Sequence, residues 1–327
     1  MFLKRKIVVN RTELMNRIVL PPMASEKSEG GQVTDALCDY YREIVKDKAT
    51  GLVILEHSYV EIDGKASQGQ LSIADDSVIE GLKKLVKVIH QGEAKAIAQI
   101  SHAGSKASFE VTGRAPVAPS AVAIPNRKVS KMPEALSYDG IQSIIQAFKD
   151  AAVRAIEAGV DGVEIHSAHG FLLNQFYSPL TNQRTDAYGG SLENRIRIHL
   201  ELLSEIREVI GSDKILAVRL GASDDYPGGS TLEDAIQASR MFEAAGMDLL
   251  DISGGLFGFS GYGDKVGYFR ETTKALKAQL FIPVLLTGGI RTACEANRLL
   301  EEGAADLIGV GRAVLKNPRW AKEALAT

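Results

Sequence analysis

The chain has 327 residues, 38 of them basic and 41 acidic, with a formal net charge of −3. With 45% hydrophobic and 24% charged residues it has the make-up of a globular chain and not a disordered one, and the even charge balance offers no basic stripe for nucleic acid. Its two cysteines, Cys38 and Cys294, lie outside any CxxC, which removes support for a zinc ribbon, an iron–sulfur cluster or a thioredoxin-like site and suits a reducing cytosol.

The opening Met1-Phe2-Leu3-Lys4-Arg5-Lys6 runs straight into polar Asn10-Arg11-Thr12-Glu13, and no apolar run is long enough to cross a bilayer. The expectation is therefore a cytoplasmic protein with no membrane contact. Short apolar runs then recur along the chain: 18–23, 51–58, 95–101, 162–168, 215–222, 249–255, 283–289 and 306–312. Most break in Gly, Pro, Ser or His, as buried parallel strands do. Helical patterns lie between them. The segment 137–158 carries Ile141, Ile144, Ile145, Phe148, Ala152 and Ile156 at three-to-four spacing and stops at Gly159. Ser191 reads as the N-cap of a helix over 192–210 that ends at Gly211. Further helices are expected over 231–245 and 292–302, stopped by Gly246 and Gly303.

Strand followed by helix, eight times over, is the count of a (β/α)8 TIM barrel, expected here as a single domain over 1–327. The competing doubly wound sheet needs a GxGxxG after the first strand, where this chain has Pro21-Pro22-Met23. Two connections exceed a minimal barrel, 103–136 after strand three and 170–190 after strand four. Both leave the C-terminal ends of strands, where extended loops wall a substrate site.

Strand parity sorts the polar residues. Val163 and Ile165 share one face and Glu164 and His166 the other; Val218 and Leu220 oppose Arg219; Gln99 and Ser101 share a face. The helix-facing side must be apolar, so Gln99, Glu164, His166 and Arg219 point into the barrel near its catalytic end. A buried arginine requires an anionic partner: a structural ion pair with Glu164 or Asp251, or a bound anionic ligand. His166 and His169 straddle one strand end. They could ligate a metal, but no third ligand is evident, and two imidazoles also suit hydrogen bonding to a carbonyl or oxyanion. Strands seven and eight end in Thr287-Gly288-Gly289 and Gly309-Val310-Gly311-Arg312, where barrels commonly hold phosphate. Cys38 and Cys294 fall in helical stretches and read as structural.

Several stretches, in order, resemble the old yellow enzyme family of flavin oxidoreductases (the NADH:flavin oxidoreductase / NADH oxidase family). They are Asn16-Arg17-Ile18-Val19-Leu20-Pro21-Pro22-Met23, Ala98-Gln99-Ile100-Ser101-His102-Ala103-Gly104, Asp161-Gly162-Val163-Glu164-Ile165-His166-Ser167-Ala168-His169-Gly170, Ser178–Asp186, Tyr188–Arg195 and Asp306–Arg312. The resemblance implies non-covalent FMN at the barrel mouth, with NADH or NADPH as donor and ping-pong hydride transfer through flavin N5 to a small-molecule acceptor. It implies that Pro22, Met23, Ala24, His57 and Gly254 line the flavin, and that Gln99 and Arg219 meet its pyrimidine edge. Gly288, Gly289, Gly311 and Arg312 would hold its phosphate. His166 and His169 would bind the acceptor and act in catalysis, with Phe171 and Glu26 beside them in the substrate site.

Three departures qualify that picture. Phe171 stands where the family often has the tyrosine that protonates carbon in ene reduction, and phenylalanine cannot donate. Ala24 and Glu26 replace a cysteine and a tyrosine of many bacterial relatives. The sequence reaches Thr327 without a Cys-rich segment or second nucleotide-binding domain, which sets the larger dienoyl-CoA reductase-like members aside as an expectation. Free flavin, quinone, dioxygen (giving peroxide) or a metal oxyanion is therefore expected as acceptor, with ene reduction of α,β-unsaturated carbonyl compounds as the alternative. A metal-dependent or Schiff-base barrel without flavin and a non-catalytic barrel are the readings from other classes. Self-association or a partner subunit is left open.

Overall fold

Each of the eight apolar runs contributes a strand in the computed structural model, which describes residues 1–128 and 130–326. Residue 129, in the first long loop, and residue 327, at the end of the expected domain span, lie outside the described residues. The strands are β1 (Ile18–Leu20), β2 (Leu52–Ile54), β3 (Lys95–Ser101), β4 (Gly162–Ser167), β5 (Ile215–Gly221), β6 (Leu249–Ser253), β7 (Val284–Thr287) and β8 (Leu307–Gly309). Neighbours pair in parallel in chain order, and Ile308 beside Ile18 closes the ring between β8 and β1. The expected strands run past the observed ones mostly at their C-terminal ends. Pro21 and Pro22 have no N–H for a ladder, and Gly288 and Gly289 turn the chain at φ +108° and +69°.

The helix layer is α1 (Asp35–Val45), α2 (Ile79–Gln91), α3 (Tyr138–Glu157), α4 (Arg197–Ile210), α5 (Leu232–Ala244), α6 (Arg270–Lys277), α7 (Ala293–Glu301) and α8 (Trp320–Ala326). Ser137, Thr231 and Thr292 accept hydrogen bonds from the backbone of Gly140, Asp234 and Glu295 and so cap α3, α5 and α7, which begin one residue inside the expected segments. The expected helix over 192–210 is broken. Ser191 caps a single turn, Leu192–Arg195, and α4 restarts after Ile196, which sits at φ −95°, ψ 0°. The break leaves Arg195 to donate to the Tyr177 and Gly190 carbonyls, satisfying the loop above β4.

Parity holds through the barrel. Ala98, Ile100, Val163, Ile165, Val218 and Leu220 pack outward in the large core shared with the helices. Val19, Leu52, Ile54, Ile97, Ile215, Ala217, Leu249, Leu285 and Leu307 fill the lower interior. An antiparallel hairpin, Ile7–Val9 with Thr12–Leu14, stops the bottom by adding Val9 and Leu14 to that cluster. Above this apolar plug the inward positions turn polar.

The loops above the strands carry structure of their own. The segment after β3 includes a short parallel pairing of Val117–Ala118 with Glu134–Ala135, and the segment after β4 opens with the wholly buried helix Leu172–Tyr177. A third wall, unannounced by any sequence period, runs from Leu256 to Phe269 after β6 and brings Phe259 and Tyr268 over the mouth.

Candidate functional site

The cleft at the C-terminal ends of the strands is lined by Pro21 and Met23 above β1, Arg219 on β5, Ser253 on β6, Thr287 through Ile290 after β7, and Gly309, Gly311 and Arg312 after β8. Phe259 and Tyr268 close it from the third loop. The glycines have steric causes. A Cβ on Gly288 would lie 2.3 Å from the Tyr268 ring, and one on Gly311 would lie 2.7 Å from Met23 Sδ. At Gly289 it would meet the Lys265 carbonyl at 1.9 Å. The backbone there is bare and close to the cavity, with the Arg312 side chain at its edge.

Arg219 reaches into the cleft from β5. Its Nη1 lies 3.1 Å from Asp251 Oδ2, and its Nη2 donates to Ser253 Oγ at 3.4 Å. Its buried Nε has no partner. Both expectations for this residue therefore meet in one side chain: an ion pair on one edge and an unsatisfied donor on the other. Gln99 is level with Glu164 across the β3–β4 ladder and donates to Glu164 Oε1 at 2.7 Å.

Three imidazoles stand above. His166 and His169 have ring centroids 5.2 Å apart, and His57 lies 6.3 Å from His166. Burial pulls His166 and His169 well below the usual imidazole range and His57 to about 4; neighbouring cations, Arg219 and Lys106 among them, add to this. All three are neutral near pH 7, so each carries one N–H to offer. The Gln70 amide accepts from the Ala66 N–H through its oxygen and donates to His57 Nδ1 at 2.7 Å, which puts the His57 proton on Nε2. His166 Nδ1 is buried without a partner.

His169 is held in the left-handed region at φ +59°, a strain on the order of 1–3 kcal/mol for a residue with a side chain. Its N–H donates to the Gly254 carbonyl, its carbonyl accepts from Lys106 Nζ at 2.7 Å, and its Nε2 shares a 2.5 Å hydrogen bond with Ser253 Oγ. Gly254 thus bears on the site through His169; it is not among the residues facing the cleft. A Cβ there would fall 1.8 Å from the Gly258 carbonyl.

The remaining expected residues divide. Phe171 packs edge-on to His166 at 4.8 Å and to His57 at 5.3 Å, with Lys106 Nζ 5.6 Å from its ring centroid. Pro22 is half-buried beside the lining Pro21 and Met23, while Ala24 and His57 border a small adjoining pocket with Gln70. Glu26 borders that same pocket, near enough for its charge to act on His57, but its carboxylate is held elsewhere. At φ +56° its carboxylate accepts from Ser67 Oγ and the Gly69 N–H, tying down the loop after β2. Among the described residues no group of three or more His, Cys, Asp or Glu is placed to hold a metal ion. Cys38 is buried in α1 and Cys294 is exposed on α7, both away from the cleft.

Sequence reasoning missed Ser253, Lys106, Phe259 and Tyr268. Ser253 was legible, because Leu249, Asp251 and Ser253 alternate on the inward face of β6. The other three sit in loops, where no period announces orientation.

The family model described as the NADH:flavin oxidoreductase / NADH oxidase family matches residues 5–326. The chain is 39% identical over 319 residues to an NADH oxidase of Thermoanaerobacter brockii, covering 95% of this chain and 48% of that protein. It is 39% identical over 318 residues to an NADPH dehydrogenase of Bacillus cytotoxicus, covering 97% of this chain and 90% of the relative. Among solved structures, a 2-naphthoyl-CoA reductase complexed with 2-naphthoyl-CoA superposes with a TM-score of 0.95 at 29% identity, over 99% of this chain and 52% of that one. An old yellow enzyme homologue from Zymomonas mobilis gives 0.86 at 26% identity, over 99% and 92%. The chain thus spans about half the length of two of these proteins, so the barrel is shared with larger members that the sequence alone had set aside.

Proposed function

The chain belongs to the NADH:flavin oxidoreductase / NADH oxidase family, and from that premise we propose that it is an FMN-dependent oxidoreductase drawing electrons from NADH or NADPH. The observation that carries the reading is Arg219. A buried guanidinium with an unpartnered Nε, opening on a cleft that ends in Gly288, Gly289, Gly311 and Arg312, suits a planar group that is electron-rich at one end and phosphorylated at the other. When bound, FMN supplies a hydride acceptor and donor at N5.

The chain's own groups do the rest. Arg219 and Gln99 would face the pyrimidine edge of that group and would stabilise negative charge there without reorganising. The bare backbone at Gly288, Gly289 and Gly311 with Arg312 would hold the phosphate. His166 and His169, both neutral, present N–H donors to a carbonyl or oxyanion on the open face, and Ser253 and Gly254 fix the second of them. Phe171 offers no proton at the position between these imidazoles and Lys106. The acceptors that fit best need none on carbon: free flavin, a quinone, dioxygen giving peroxide, or a metal oxyanion.

The test is anaerobic reduction of the FMN-loaded protein by NADH, followed by mixing with free FMN, a quinone, air or cyclohexenone. The expected order places cyclohexenone slowest. Rapid cyclohexenone turnover with sluggish flavin and oxygen turnover overturns the assignment.

Lys106 favours ene reduction as the second reading. Burial pulls its ammonium down to about 8, and it lies beside Phe171 and the His169 carbonyl, a donor near the place of the missing tyrosine. A Phe171→Tyr variant discriminates. If carbon protonation limits, enone reduction rises at least about tenfold while flavin reduction by NADH is unchanged; no gain means that Lys106 or solvent already serves.

A further inference from the structure

The polar layer beneath the cleft holds one more acid than its charge can support. Gln99 on β3, Glu164 on β4, Arg219 on β5 and Asp251 on β6 all point inward and are essentially sealed from solvent. Of the other inward residues, Val19, Ile54, Leu285 and Leu307 are apolar, and the buried Glu56 just beyond β2 is held instead by the Ser25 N–H. His166, two residues above Glu164 on its own strand, is neutral. The layer therefore contains one guanidinium and two carboxyls. With both carboxyls ionised, a dry interior would carry a net negative charge directly below the pyrimidine edge, where reduction adds another. Such a charge costs several kcal/mol in real interiors.

The ion pair distinguishes the two acids. Asp251 is paired with Arg219. Glu164 accepts a single hydrogen bond, from Gln99 to Oε1, and its Oε2 has no partner. Asp251 Oδ1 and Oδ2 also lack a hydrogen-bond donor. A carboxylate stripped of water, with one oxygen bare and no cation in contact, is the arrangement a proton relieves. We propose that Glu164 is a positioning residue held in its acid form, which leaves Asp251 as the one counter-charge to Arg219 and ties the redox equilibrium of the bound cofactor to the Glu164 proton. Burial and the neighbouring Asp251 charge both push the Glu164 carboxyl up, against a weaker opposing pull from Arg219 and Gln99. The proton balance is simple. Where Glu164 is ionised in the oxidised protein, the charge added on reduction draws one proton from solvent onto its Oε2. Where it is already protonated, nothing moves.

The redox half of this proposal rests on the flavin assignment; the protonation half does not. The experiment has two arms. Infrared spectra of the unloaded protein at neutral pH are expected to show an un-ionised carboxylic acid that disappears in Glu164→Gln and fades in the unsubstituted protein as the solution is made alkaline. The midpoint potential of the FMN-loaded protein is then measured against pH. The unsubstituted protein is expected to fall more steeply by one proton per two electrons over the range in which that band fades. Glu164→Gln, isosteric and always neutral, is expected to lack the extra slope. The alkaline titration needs no variant, so a misfolded substitution does not block it. Absence of the acid band at neutral pH overturns the proposal, as does a Glu164→Gln protein with an unchanged potential-against-pH curve. A protein that binds no FMN overturns the flavin assignment and leaves the infrared result to stand alone.

Discussion

Two residues along the same strand separate the two halves of this barrel's interior. On β3 the lower inward position is Ile97 and the upper is Gln99; on β5 they are Ala217 and Arg219; on β6, Leu249 and Asp251. The lower half is an apolar plug closed by Val9 and Leu14. The upper half is equally buried but polar, and Arg219 Nε, Glu164 Oε2 and His166 Nδ1 have no partner among the described residues. Equal burial with opposite chemistry shows that burial does not mark the site. Unsatisfied burial gathered around one cleft does, because each bare polar atom costs on the order of 1–3 kcal/mol that a ligand or a proton can return. Substitutions in the two halves should therefore fail in different ways.

The largest effect is expected from Arg219→Met. It removes the positive charge facing the cofactor's pyrimidine edge, and flavin reduction by NADH in stopped flow should slow by about a hundred- to a thousandfold. It also leaves Asp251 buried without its counter-charge, a loss on the order of 3–5 kcal/mol in urea unfolding. Unchanged reduction kinetics would show that Arg219 is an internal ion pair only. Leu285→Ala, in register with Asp251 on the neighbouring strand but part of the plug, is the counter-experiment. It should cost about 2–5 kcal/mol of stability through the cavity it opens and leave FMN affinity, measured on the folded fraction, where it was. Weaker FMN binding with undiminished stability would erase the distinction between the halves.

The upper half should also betray itself through pH. Glu164 binds its proton more tightly folded than unfolded, so the folded state is favoured while the acid form persists. Stability then falls as pH rises from the ordinary glutamate range, about 4.3, through the raised folded value. The slope from this group is at most about 1.4 kcal/mol per pH unit. Glu164→Gln should flatten that decline in the unloaded protein. An unaltered slope would assign the pH dependence to other groups.

Much of this division was legible in the sequence. Alternation on β4 and β5 separates Glu164 and His166 from Val163 and Ile165, and Arg219 from Val218 and Leu220, because a parallel strand under a helix layer tolerates polarity on one face only. Long-range closure was not legible. The plug comes from residues 7–14, remote in sequence from most of the strands it seals, and no local period announces it. Nor does correspondence of position reveal direction. Glu26 occupies a place expected to face the substrate, but a positive φ and two donors from 67–69 turn it to brace a loop. The aromatic wall of Phe259 and Tyr268 sits in a glycine-rich segment with neither alternation nor helical spacing.

The smallest effect tests how the two halves meet. Ser253 is the last residue of β6, one step above Asp251 on the inward face, and it touches both systems: Arg219 donates to its Oγ, and His169 Nε2 shares a hydrogen bond with the same atom. Ser253→Ala keeps the strand and removes both contacts at a cost of about 1 kcal/mol. Because His169 keeps the Gly254 and Lys106 backbone contacts, the residue should stay in its left-handed conformation while its ring gains freedom. The expected signature is an acceptor KM raised about fivefold, the equivalent of 1 kcal/mol, with the rate of flavin reduction nearly unchanged. A fall in that rate of the size predicted for Arg219→Met would instead mean that Ser253 positions the guanidinium, placing the boundary between plug and site one residue lower on β6 than the alternation implies.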